Sequence, residues 1–422
     1  MYHGPYADNR KAIMSATHPA YERALHEFQC FTGDPVASVN AALAEQPGLV
    51  MSQVLLAYMY LLSTERAAVA VGRQSLECAS REPASSNERG HLAAVEHLVH
   101  GRWHAAARVL EDVSLDHPHD ALALQAGHLI DFYTGNARML RDRIARALPQ
   151  WSADMPGHHA LLGMHAFGLE ETADYAAAER AGRQALELEP LNAWAHHAVA
   201  HVMEMQNRRE EGIAWMRSRA PHWSQQSAMA VHNWWHLALY HLGLDQVDEV
   251  LALFDTPIHG AHSPLALDLV DASSLLWRLQ LRGVDVGNRW HSVADGWLPL
   301  ARDAGHYAFN DAHAMMAFVG AHRHADAEAL LAAQRSALDA PGDNAAFTRD
   351  VGQPLCEALW AFGRADHACC VELLRPLRGQ AHRFGGSHAQ RDVIDLTLIE
   401  AARRDGQQAL HRSLLAERAR PH

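Results

Sequence analysis

The stretch ADYAAAERAGRQALELEPLNAWA, residues 173–195, constrains the fold of this chain more than any other. It has a Tyr after a turn, small residues every three or four positions, then a break and a fresh helix. That spacing is helical, with the small residues placed where two helices cross closely. Looser copies follow: HGRWHAAARVLEDVSLDHP from His100, HLGLDQVDEVLALFDTPI from His241, HRHADAEALLAAQRSALDAPG from His322 and FGRADHACCVELLRPL from Phe362. Strand signals are nearly absent, with no alternating β-branched runs joined by Asn-Gly or Asp-Gly turns. The pattern predicts an all-α array of antiparallel helix pairs, roughly eight to ten of them at a repeat period of about 34 residues. No Ser/Gly-rich linker divides it. One solenoid over residues 26–422 is therefore expected, behind an irregular cap over 1–25.

The unit at 173–195 is close to the second half of a tetratricopeptide repeat. In such arrays the first helix of each pair (A) lines the concave wall and the second (B) the outside. Sorted by this phase, the unusual polar residues fall on A helices. They include His128 and Asp131, His165, His197 with His201 and Glu204, His232 with His236, Asp268 with Asp271, and Asp311 with His313. Arg349 and Asp350 open a further pair, and His388, Arg391 and Asp392 open the last. The B helices carry ordinary Glu and Arg. Arg138, Arg141, Arg143 and Arg146 read as a solvated face.

Composition narrows the function classes. A net charge of −13 argues against a broad basic surface, so nucleic acid is not expected as a partner. The 32 histidines make metal binding or proton transfer worth weighing. The five cysteines form no CxxC pair and suit a reduced, cytoplasmic protein. No apolar run has the length of a membrane span, and the first residues lack a signal-peptide core. No glycine-rich phosphate loop or dinucleotide fingerprint is present, so no nucleotide cofactor is expected.

HAVAHVMEM, residues 197–205, carries the sharpest candidate site. His197, His201 and Glu204 share a helix face. His197 and Glu204 are about 10.5 Å apart along the axis, too far to bind one ion together. A shell would draw His201 with Glu204 or His197, plus His236 or His232 from the next helix. That is a two-histidine, one-carboxylate type of set suited to iron, zinc or manganese. The metal set on this reading is His201, Glu204 and His236. A metal-free version keeps the same residues, with His beside a carboxylate as general acid or base. Asp271, Asp311 and Asp392 would orient histidines, and Arg391 would clamp a carboxylate. The plain alternative is that each buried His bonds a neighbouring carbonyl or carboxylate and packs.

Several blocks also resemble, in order, the tetratricopeptide repeat protein 38 family: AWAHHAVAHVMEM, HNWWHLALYHL, LVDASSLLWRLQLRGVDVGNRW, FNDAHAMMAF, TRDVGQPLCEAL and GGSHAQRDVIDLTLIEAA. The resemblance covers most of the chain. It implies an all-helical repeat fold in the cytosol and says little of activity. Its pattern falls on His197, His201, Glu204, His232, Asn233, Trp235, His236, Asp271, Asn310, Asp311, His313, Arg349, Asp350, Gln390, Arg391 and Asp392. His388 departs from it.

Two functional expectations follow. In one, an enzyme acts on a small molecule or short peptide inside the curl, by hydrolysis or oxidation. His197, His201, Glu204, His232 and His236 form its heart, and Asp271, Asp311, His313, Arg391 and Asp392 its far wall. The array must then close until its last helices approach its middle. In the other, the concave groove is a scaffold that holds a partner peptide or protein.

Overall fold

The computed structural model describes residues 18–419. Most of the cap expected over 1–25 lies outside these residues, and from Pro19 the chain is helical. Helix follows helix, and the described residues hold no strand beyond an isolated bridge between Thr32 and Ser227. The pairs run from Pro19–Cys30 with Pro35–Glu45 to His388–Arg404 with Gln408–Arg418. Among the described residues they slightly exceed the expected eight to ten.

Local chemistry sets each pair. Asp120, Asp174 and Asn192 accept backbone N–H groups of the first turns they precede, at Ala123, Ala177 and Ala195. Ser387 and Gln390 form a reciprocal capping box at the last A helix. Gly168 permits one tight crossing: a Cβ there would stand 2.5 Å from the Leu140 carbonyl.

The two helix types differ in burial as the phase requires. In the A helix Ala308–Gly320, every residue from Ala308 to Val319 is buried. Its B partner His324–Ala337 buries Ala327, Leu330, Leu331 and Gln334, one stripe of an amphipathic helix. The A helices therefore form a continuous core, and the superhelix winds until distant repeats touch. The Tyr307 hydroxyl donates to the Tyr133 carbonyl at 3.1 Å, and Asn310 donates to the Thr64 carbonyl at 3.2 Å. Trp277 donates to Thr397 at 2.9 Å, so the last A helix packs on the middle of the array. The winding is closed rather than an open horseshoe.

One sequence expectation fails here. Arg143 does not belong to a solvated face. It is buried, donating to Asp131 at 2.7 Å and to the Ala107 carbonyl at 3.2 Å. Asp131 thus serves a structural pair across the A–B crossing.

Candidate functional site

Two A helices lie side by side at the centre, Ala193–Met205 and Ala230–Gly243. One pair from each, His197 with His201 and His232 with His236, is spaced one turn apart, which places the pair on one face. The register is locked by Tyr240, whose hydroxyl donates to the Ala200 carbonyl at 2.6 Å. The four imidazoles consequently converge. Ring centroids are 4.4 Å apart for His197 and His201, 4.4 Å for His201 and His236, and 4.8 Å for His197 and His232. One nitrogen from each of the four lies within 4.8 Å of the others.

The surroundings are apolar and aromatic. Phe167 stacks on His197, and Trp235 stacks on His232 at 5.2 Å. Burial drives the His201 pKa down to about 3 and those of His197 and His236 well below the ordinary value, so these three are neutral imidazoles. His232 sits at the rim, its side chain 16 % exposed. Asp271 lies 2.9 Å from its Nδ1. A carboxylate only accepts, so Nδ1 carries the proton and the Nε2 lone pair faces inward, 3.1 Å from His197 Nε2. His197 Nδ1 and both nitrogens of His201 and of His236 have no hydrogen-bond partner among the described residues. Asn233, on the same helix, also has both amide atoms unpaired there.

The carboxylate beside this cluster is not the expected one. Glu204 is one turn beyond His201, and its side chain faces a different cavity. The set His201, Glu204 and His236 is therefore not assembled. Glu170, from the helix His158–Glu170, takes that place, with Oε2 3.5 Å from His201 Nδ1. Burial and the neighbouring Glu171 push its pKa well above the carboxylate range. The signal for it was the acidic pair in GLEET, two adjacent charges ending an otherwise apolar helix.

The remaining candidates do not meet there. Asp311 accepts from Gly305 N–H at 2.8 Å and Gln334 at 3.0 Å. His313 Nδ1 donates to the Phe309 carbonyl at 2.8 Å. Asp350 pairs with Arg383 at 2.7 Å. Arg391 does clamp a carboxylate, but it is Glu171 of this chain, at 3.4 Å. Asp392 pairs with Arg418. The far wall of a single catalytic centre is thus dispersed. Side chains that share a wall still point into different crossings, and the crossing decides the partner.

Glu204, Arg391 and Asp392 instead border a cavity of 1340 Å³ between the middle and the last repeats. It is lined by Arg208, Arg209, Arg278, Arg282, Arg378, Arg391 and Arg418, against Glu204, Asp392, Asp395 and Glu417. Arg208 pairs with Glu179 and Glu211, Arg378 with Asp395 and Glu417, and Arg282 with Asp245. Arg278 is different. It is buried and donates only to carbonyls, of Ser274 at 3.1 Å and Ala389 at 2.6 Å. Desolvation draws its pKa down to about 10. Arg209 has neither an ion pair nor a hydrogen-bond partner among the described residues. Burial raises the Glu204 pKa to about 7, with nearby Asp392 adding to the rise and Arg209 and Arg278 opposing it. Sequence reasoning missed Arg278, although a charge inside LLWRLQL is its signal.

No protein-family model matches the chain. Among solved structures it is similar to yeast Tom70, with 10% identity, 89% of this chain and 86% of that one covered, and a TM-score of 0.42. A monomeric mutant of IFIT1 with Gppp-AAAA gives 13%, 95%, 94% and 0.40 on the same measures. The human IFIT1 dimer with m7Gppp-AAAA gives 14%, 95%, 94% and 0.40. The expectation of no nucleic-acid partner is corrected by these last two, which hold Gppp-AAAA and m7Gppp-AAAA. Its physical flaw was to treat a net charge of −13 as uniform, when arginines gather locally around the cavity. No helix among the described residues is long and apolar enough to cross a membrane. Among the described residues the chain is an all-helical solenoid of antiparallel helix pairs.

Proposed function

We propose that this protein is a binding scaffold whose arginine-lined cavity takes an acidic segment of a partner protein. Within the repeat class, we place it with the tetratricopeptide repeat protein 38 family on the ordered blocks of its sequence. The observation that carries the binding reading is the pair Arg278 and Arg209, two cations that line the cavity and face no paired carboxylate. Arg278 is buried without an ion-pair partner among the described residues, which is costly, and an arriving carboxylate offsets that cost. Guanidinium groups bind carboxylates through paired hydrogen bonds. Gln206 and Asn207 on the rim offer contacts to a peptide backbone, and Leu239, Leu242 and Ile394 offer apolar ones. The lining holds no Phe, Tyr or Trp for bases to stack on, and its only ring side chains are His382 and His388. Catalysis is the less supported reading, because its ten residues are spread over separate crossings.

Fluorescence anisotropy tests this with a fluorescein-labelled, glutamate-rich peptide beside a labelled single-stranded oligoadenylate. The peptide is expected to bind, more weakly as salt rises. Arg209→Ala should lower its affinity about tenfold or more, the value of a charged hydrogen bond of about 1.5–3 kcal/mol. Binding of the oligoadenylate alone, or equal peptide binding by Arg209→Ala, overturns the reading.

A further inference from the structure

The four central histidines stand apart from that cavity and ask a separate question. A buried polar group is normally hydrogen-bonded, and each exception costs about 1–3 kcal/mol. Here His201 and His236 leave both ring nitrogens unpaired among the described residues, and His197 leaves one. Packing alone gives no reason to gather four imidazoles where Leu or Phe would fill the space without that cost.

We propose that His197, His201, His232 and His236 hold one transition-metal dication. The geometry is favourable. An ion about 2.0–2.1 Å from each of two nitrogens 3.1 Å apart subtends about 100° between them, a normal angle in tetrahedral or octahedral coordination. A tetrahedron with those bond lengths has edges of about 3.3 Å. The ligating nitrogens already lie within 4.8 Å of one another, so ring adjustments of about an ångström close the shell. Neutral imidazole suits zinc, copper, iron and nickel. Asp271 adds the outer-shell feature of such sites: it holds Nδ1–H of His232 and directs Nε2 at the ion. Asp271 is the carboxylate placed beside an otherwise neutral ligand set, and the Glu170 carboxyl lies 3.5 Å from His201 Nδ1. Access lies past His232, the partly exposed member.

The test is a titration of untagged, EDTA-stripped protein with Co²⁺, followed by its visible absorption and then by displacement with Zn²⁺. The measurement is made in a Cys30→Ser background, because His26, Cys30, His159 and Glu189 form another group of adjacent ligating side chains. The expected result is one equivalent of Co²⁺ with d–d bands and no thiolate charge-transfer band. His236→Ala should abolish those bands, and Asp271→Asn should weaken affinity about 10–100-fold. Where circular dichroism shows His236→Ala unfolded, the rim variant His232→Gln gives the reading, with loss of binding expected. Failure of folded protein to take up stoichiometric Co²⁺, or a titration unchanged by His232→Gln, overturns the proposal.

Discussion

His91 and His236 are equally buried, each 0 % exposed, on A helices of the same array. Their surroundings differ completely. His91 accepts from the Tyr58 hydroxyl at Nδ1 (3.0 Å) and donates from Nε2 to Asp120 at 2.9 Å. Asp120 also accepts from Asn87 at 2.7 Å and caps the next helix through Ala123 N–H at 2.8 Å. Burial alone would raise the Asp120 pKa, but His91 and these hydrogen bonds outweigh it and hold it at about 2. His236 has none of this. Burial of a histidine therefore says little about its role, while the fate of its two nitrogens says a great deal.

The sharpest way to break the comparison is to make both residues leucine. His91→Leu strands the Asp120 carboxylate and the Tyr58 hydroxyl. It should cost about 3 kcal/mol or more, because each stranded buried group costs about 1–3 kcal/mol and a charged one more. His236→Leu removes two unsatisfied nitrogens. In EDTA it should match wild type or exceed it by about 1–3 kcal/mol or more, because no partner is stranded and two unpaired buried nitrogens are removed. Urea denaturation of both variants checks this, and similar losses would refute the distinction. Adding Zn²⁺ sharpens it, since wild type and His91→Leu, which keep all four central histidines, should gain stability from a bound ion and His236→Leu should not.

Glu204 gives a smaller, pH-dependent effect. Its folded pKa of about 7 lies above the ordinary 4.5. Below pH 4.5 both folded and unfolded chains hold the proton, and the group contributes nothing. Between 4.5 and 7 the folded chain binds more protons, so stability falls as pH rises. Glu204→Gln should remove that fall. The variant should match wild type near pH 4 and exceed it at pH 8 by on the order of 3 kcal/mol. Melting curves across that range would contradict the assignment if the two proteins stayed parallel.

The smallest expected change separates two arginines. Arg143 is locked by Asp131, whereas Arg209 faces the cavity without a partner. Arg209→Ala should alter stability by no more than about 0.5 kcal/mol while weakening the acidic peptide. A large drop in melting temperature would make Arg209 structural and remove it from the binding surface.

Much of this arrangement was legible in the residues. Small-residue spacing and turn residues predict the helix pairs, because helical periodicity and caps are local properties. The phase that put His197, His201, His232, His236 and Asp271 on one wall followed from the same local pattern. The i,i+4 spacing in each of two consecutive A helices was enough to bring the imidazoles together. The carboxylate was misassigned for an instructive reason. Glu204 shares a helix with His201, and sequence proximity was taken for contact. The residue actually beside His201 comes from the previous repeat, at Glu170.

What the sequence by itself determined is therefore the unit and its facing: all-helical pairs, A helices buried, B helices amphipathic, histidines inward. What only the tertiary structure decided is which inward residues meet. The superhelix accumulates a small rotation at every repeat. The sum brings His388–Arg404 against the middle of the array, makes an arginine-lined cavity there that Asp392 borders, and sends Asp311 and His313 into other crossings. No local pattern encodes that sum, because it depends on every crossing angle along the chain.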